Sequence, residues 1–121
     1  MNYVDKIALT ILLAMGLGTA RANDSNQRAL LAYLKVKTGT EQQFLGAARD
    51  VIAKTRQEAG NITYTLHRSV ADPQQFVFYE LFRTEKDLQD HKSSTHVTDF
   101  LNRVNPILVQ GGFVLQEYTP Q

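Results

Sequence analysis

The chain has 121 residues, 43% of them hydrophobic and 21% charged, with 13 basic and 12 acidic side chains and no cysteine. That length allows one globular domain, and the missing cysteines exclude disulfides, thiol nucleophiles, iron–sulfur clusters and cysteine zinc sites. There is no basic stripe that would follow a phosphate backbone or an anionic membrane surface, so neither nucleic acid nor stable membrane association is expected.

Residues 1–22 read as a secretory signal peptide. Lys6 precedes the apolar run Ile7 to Leu17, and Ala20, Arg21 and Ala22 form an A-x-A cleavage site before Asn23. The run is too short to span a bilayer comfortably. Cleavage takes Lys6 and Arg21 from the 13 basic residues and Asp5 from the 12 acidic ones, leaving 11 of each. The pI of 8.0 then belongs to the precursor, and the mature protein is expected to be neutral and periplasmic or secreted.

After a polar leader, Ala29 to Lys37 alternates as a strand, with Leu30, Ala32, Leu34 and Val36 on one side. Thr40 and Gln43 match a capping box, and Phe44, Ala47, Ala48, Val51, Ile52 and Thr55 form a buried helical stripe that Gly60 is expected to end in a left-handed conformation. Asn61 to Val70 alternates as a second strand, the Asp72-Pro73 pair turns the chain, and Phe76 to Phe82 is a third strand. Thr84 with Asp87 caps a short helix through His91. Ser93 and Ser94 interrupt it, and Ser94 or Thr95 caps another. Gly111 and Gly112 are expected in a connection before a last strand, Phe113 to Tyr118.

The order βαββαβ, with its second helix broken, predicts the ferredoxin-like α+β plan over residues 29–118, an antiparallel sheet with helices on one face. The first and third strands are apolar on both sides. One chain has helices for only one sheet face, so a homodimer stacked sheet to sheet is expected.

Several segments together resemble the antibiotic biosynthesis monooxygenase domain family, nearer its quinol monooxygenase-like members. They are Val36 to Glu41, Phe44, Glu58-Ala59-Gly60-Asn61 with Tyr64 and Leu66, Asp72-Pro73 before Phe76, Glu80-Leu81-Phe82, and His91 to Val97. The resemblance spans Ala29 to Tyr118, and Phe82 stands where members often carry tryptophan. It implies a dimeric α+β barrel that oxidises a small aromatic diol, phenol or quinol with O2, without flavin, metal or other cofactor.

Such chemistry begins by removing a proton from a phenol or enol, and histidine is the natural base near neutral pH. His96, opening the last helix after the serine pair, is the first choice and His91 the second. On a continuous helix the two would point about 140° apart, so only the break lets both face one pocket. Glu80, set between Phe78 and Phe82 in its row, is costly to bury alone and should seek a histidine, arginine or hydroxyl partner; paired with His96 or His91 it would fix the tautomer and stabilise the imidazolium. Tyr64 would donate to the developing oxyanion, while Phe78 and Phe82 would stack on a flat substrate. A metal site built from Glu80, His91 and His96 has suitable atom types but no known spacing signature. The alternatives are a non-catalytic ligand-binding or dimerisation module, with these side chains scattered over the surface, and an isomerase or degradative enzyme for a small carbonyl signal.

Overall fold

A computed structural model describes residues 26–121; the signal-peptide expectation for residues 1–22 lies outside them. Strands β1 (Arg28–Val36), β2 (Asn61–Arg68), β3 (Gln75–Phe82) and β4 (Leu108–Tyr118) form one sheet in the order β2-β3-β1-β4. All neighbouring strands pair antiparallel. Helix α1 (Glu41–Thr55) follows β1, while α2 (Glu85–Lys92), α3 (Thr95–Val104) and a 3-10 turn (Asn105–Ile107) fill the connection from β3 to β4. This is the ferredoxin-like α+β fold. None of the described helices is long and apolar enough to cross a membrane.

The core lies between the helices and one sheet face. Leu30, Ala32, Leu34 and Val36 of β1 and Phe76, Phe78, Glu80 and Phe82 of β3 all point into it. From α1 come Phe44, Ala47, Ala48, Val51 and Thr55, and from α3 Phe100 and Val104. Aromatic rings knit the layers together: Phe44 packs on Phe76 at 4.5 Å, and Phe100 meets Phe78 edge-on at 5.7 Å. Each buried phenylalanine contributes on the order of 1.5–3 kcal/mol through area removed from water, so this cluster outweighs the exposed Arg103–Asp50 ion pair between α3 and α1.

Several helix ends differ from expectation. The Thr40–Gln43 capping box does not form, because Thr40 lacks extended cap geometry and its hydroxyl donates to the Lys37 carbonyl at 2.6 Å, closing a turn around Gly39 at φ +87°. Helix α1 stops at Thr55, and Gly60 is not left-handed. Its need for glycine is one of clearance, since a Cβ there would sit 2.2 Å from Asp87 Cγ. The other caps do form: the Thr84 hydroxyl accepts from the Asp87 amide at 3.1 Å, and Ser94 from the Val97 amide at 3.4 Å.

The last strand also begins earlier than expected, at Leu108, and includes Gly111 and Gly112. The β1–β4 register shifts between Leu34 and Val36, and the glycines accommodate that irregularity. Gly111 takes φ +70°, and a Cβ on Gly112 would meet the Lys35 carbonyl at 2.7 Å.

No helix among the described residues covers the opposite sheet face. Leu31 lies across from Tyr79, and Tyr33 lies between Val77 and Val114. Tyr79, Val114 and Tyr118 stay 38–49% exposed. Gly60→Ala should destabilise the protein by about 1–3 kcal/mol in urea unfolding, the usual cost of forcing a carbon into a filled space. Phe44→Ala should cost about 3–5 kcal/mol.

Candidate active site

The sheet register sets out the site. Tyr64 of β2, Glu80 of β3, Leu30 of β1 and Glu117 of β4 form one row across the helix-facing side. The next row holds Leu66, Phe78, Ala32 and Leu115. Above these rows, α2 and α3 leave a cavity of about 180 Å³, bordered by Leu30, Tyr64, Phe78, Glu80, His91, Val97, Phe100 and Leu101, with Phe113 and Leu115 on the β4 side. Lys92 lies at this cavity too, and its ammonium pairs with Glu117, tying the end of α2 to β4.

Glu80 is 3% exposed and His91 is 3% exposed. His91 Nε2 lies 3.4 Å from Glu80 Oε2, close enough for an ion pair but without the alignment of a hydrogen bond. That oxygen has no other partner among the described residues, which leaves an acceptor free for a ligand hydroxyl. The other nitrogen of His91, Nδ1, lies 2.8 Å from Glu58 Oε2, and the same oxygen is 2.6 Å from His96 Nε2. The imidazole of His91 is therefore held between two carboxylates. It packs on Phe82 at 4.9 Å and meets the Tyr64 ring edge-on at 5.3 Å.

Burial pushes the Glu80 carboxyl above its ordinary range, and the nearby charge of Glu58 adds to that against the pull of His91. For His91, burial acts downward, but bonding and attraction to Glu80 and Glu58 outweigh it and the imidazole is raised overall. Burial, with the charge of Glu80, drives the Tyr64 phenol far upward, so it stays a hydrogen-bond donor at physiological pH.

The structure thus gathers Tyr64, Phe78, Glu80 and His91 around one cavity. Phe82 is fully buried beneath His91 and does not border it. His96 does not border it either. It faces a separate groove between α1 and α3, although the break at Ser93 and Ser94 does bring both imidazoles to one point, the Glu58 carboxylate. Glu58 itself was not singled out as a site residue by sequence reasoning. It belongs to the Glu58-Ala59-Gly60-Asn61 segment that carries part of the family resemblance, but no periodicity links it to a histidine 33 positions later.

Glu58, His91 and His96 offer three metal-ligating atoms within 4.8 Å of one another. Glu58 Oε2 lies at hydrogen-bonding distance from both ring nitrogens. Proton-mediated contacts hold the three side chains together as they stand.

This arrangement sits in a chain whose residues 28–103 match the sequence profile described as antibiotic biosynthesis monooxygenase. The chain belongs to that family. It is similar to "Putative monooxygenase YcnE" of Bacillus subtilis (strain 168), with 30% identity over 79 residues, 65% of this chain and 83% of that protein. Among solved structures it is similar to a "Putative antibiotic biosynthesis monooxygenase from Nitrosomonas europaea", with TM-score 0.75 and 26% identity over 79% of this chain and 91% of that one. A conserved protein from Methanosarcina mazei Go1 shares the fold, with TM-score 0.76 and 20% identity over 81% and 96% of the two chains.

Because the folded state raises both Glu80 and His91, it binds more protons than the unfolded chain, whose groups titrate near 4.5 and 6.5. The stability these shifts contribute is fully present below those values and is lost as pH rises through the folded ones. The melting temperature should therefore fall between about pH 5 and pH 8, and Glu80→Gln should flatten the slope. Thermal melts of both proteins across that range check this.

Proposed function

We propose that the protein is a cofactor-independent monooxygenase that oxidises a small aromatic diol, phenol or quinol with O2. The observation that carries the reading is the convergence of a Glu80 oxygen without a hydrogen bond, the His91 imidazole and Tyr64 on one mostly apolar cavity. A substrate hydroxyl donates to Glu80, and the Glu80–His91 pair takes its proton. The apolar walls keep water from stabilising the phenolate, so the electron-rich anion can pass an electron to O2. One oxygen atom then bonds to a ring carbon and the other leaves as water, the substrate supplying the electrons. Tyr64 donates to the oxyanion, and Phe78 and Phe100 offer faces for a flat ring. Membership of the family supports the oxygenase class, and the cavity volume supports a small substrate.

The same proposal covers assembly and location. The sheet face that no described helix covers, with Leu31, Tyr33, Val77, Tyr79, Leu81 and Val114, fits a second copy of the chain stacked face to face. A cleaved signal peptide would deliver the protein to the periplasm or the medium, with Asn23 as its first residue.

Oxygen uptake with a panel of hydroquinones tests the chemistry. His91→Ala should lower kcat by about 10²–10⁴, the usual contribution of a positioned base. Equal rates would remove His91 from that role, and substrate proton exchange without oxygen uptake would favour an isomerase. Light scattering at micromolar concentration should give the mass of a dimer, with Tyr79→Glu shifting it to that of a monomer.

A further inference from the structure

We infer that Glu58 is a positioning residue that sets the tautomer of His91, and that His96 holds Glu58 in place rather than acting on the substrate. This rests on the assignment of His91 as part of the base. The argument is a count of protons. Every close contact between two acceptor atoms needs one proton on one of them. His91 Nδ1 and His96 Nε2 both contact Glu58 Oε2, at 2.8 and 2.6 Å, and with Glu58 as an ionised carboxylate, which only accepts, both nitrogens carry hydrogen. Two neutral imidazoles hold two such protons. With those two committed to Glu58, His91 is the Nδ1–H tautomer, and its lone pair is at Nε2, on the side of Glu80 and the cavity. That is the form a base needs. The 3.4 Å approach of His91 Nε2 to Glu80 Oε2 is not a hydrogen bond and needs no proton at rest; one further proton taken up between them corresponds to the state after substrate deprotonation.

The surroundings agree with a positioning role. Glu58 and His96 are absent from the cavity wall, and each keeps about a fifth of its side chain exposed, at 20% and 18%. The turn that carries Glu58 is clamped from several sides. Its own amide donates to the Thr55 carbonyl at 3.0 Å, its carbonyl accepts from Asn61 at 3.1 Å, and the Arg83 amide donates to Gly60 at 2.9 Å. The Arg56 guanidinium reaches over to the Tyr64 carbonyl with two bonds, at 3.0 and 3.1 Å. A carboxylate held on so fixed a turn gives a constant orientation to the ring it meets. The titratable or charged groups facing His91 are Glu58 from the turn, Glu80 from β3, Tyr64 from β2, His96 from α3 and Lys92 beside it on α2. Of these, only Glu58 and Glu80 contact its ring nitrogens.

The test joins nitrogen-15 NMR of the histidine side chains with steady-state kinetics on wild type, Glu58→Gln and His96→Ala. In wild type, neutral His91 should be the Nδ1–H tautomer, and a predominantly Nε2–H form would overturn the inference whether or not any substrate is found. Glu58→Gln keeps the shape but removes the charge. It should lower kcat by at least about 10-fold, leave KM nearly unchanged and move the acidic limb of the pH profile to lower pH. His96→Ala should act in the same direction but more weakly. A raised KM with the acidic limb unmoved would instead make Glu58 a substrate contact and sink the inference. Failure of wild type to oxidise any quinol removes the oxygenase reading alone, because the tautomer is read without substrate.

Discussion

A carboxylate in the middle of an apolar strand is the constraint on which the rest of this structure turns. Glu80 occupies a position in β3 where its row neighbours are Phe78 and Phe82, and burial of an isolated charge there would cost several kcal/mol. The fold answers with His91, brought down from the end of α2 onto the same row. His91 in turn is too deeply buried to be held by one acid at 3.4 Å without a hydrogen bond. Glu58 supplies the second contact and His96 secures it. The four side chains come from β3, α2, the turn after α1, and α3, so the site integrates nearly every layer of the molecule. Replacing Glu80, His91 or Glu58 leaves a buried polar group without one of its partners.

Much of the architecture is legible from patterning. The period-2 rows of β1 and β3 and the helical stripe of α1 reproduce the observed core faces, and the serine pair marks the break between α2 and α3. Patterning was least informative where two segments meet out of sequence. Gly60 has the local look of a helix terminator but serves as clearance for Asp87, a contact that exists only after α2 packs. Gly111 and Gly112 have the look of a connection yet sit inside β4, because the β1–β4 register slips by three residues there, from Leu34 opposite Phe113 to Val36 opposite Leu108. The same reason explains the site. Glu80 announces itself as a charge in an apolar strand that needs a histidine, arginine or hydroxyl partner, and of these the structure supplies His91. Glu58 sits in a polar turn where a glutamate is unremarkable, and only the tertiary arrangement shows that it faces two imidazoles.

The two faces of the sheet divide the work. The helix-covered face combines stability and chemistry, with Phe44, Phe76 and Phe100 packing at one end and the Tyr64–Glu80 row open to the cavity at the other. On the bare face, side chains such as Leu31 and Tyr33 follow the same strands with the opposite phase. On the proposed function, chemistry and assembly fall to alternate residues of the same segments, and a one-residue slip in β1 or β3 would exchange the two faces.

The absent side chain at Gly60 bears on this geometry in a further way. Asp87 is in the first turn of α2 and His91 in its last, so the helix acts as a short lever pivoting near the glycine. Any atom added at residue 60 would tilt the lever's near end outward and shift its far end relative to Glu80 and Glu58. The spacing between acid and imidazole is thereby gauged by a residue that takes no part in the chemistry, and its tolerance is the thickness of one missing methyl group.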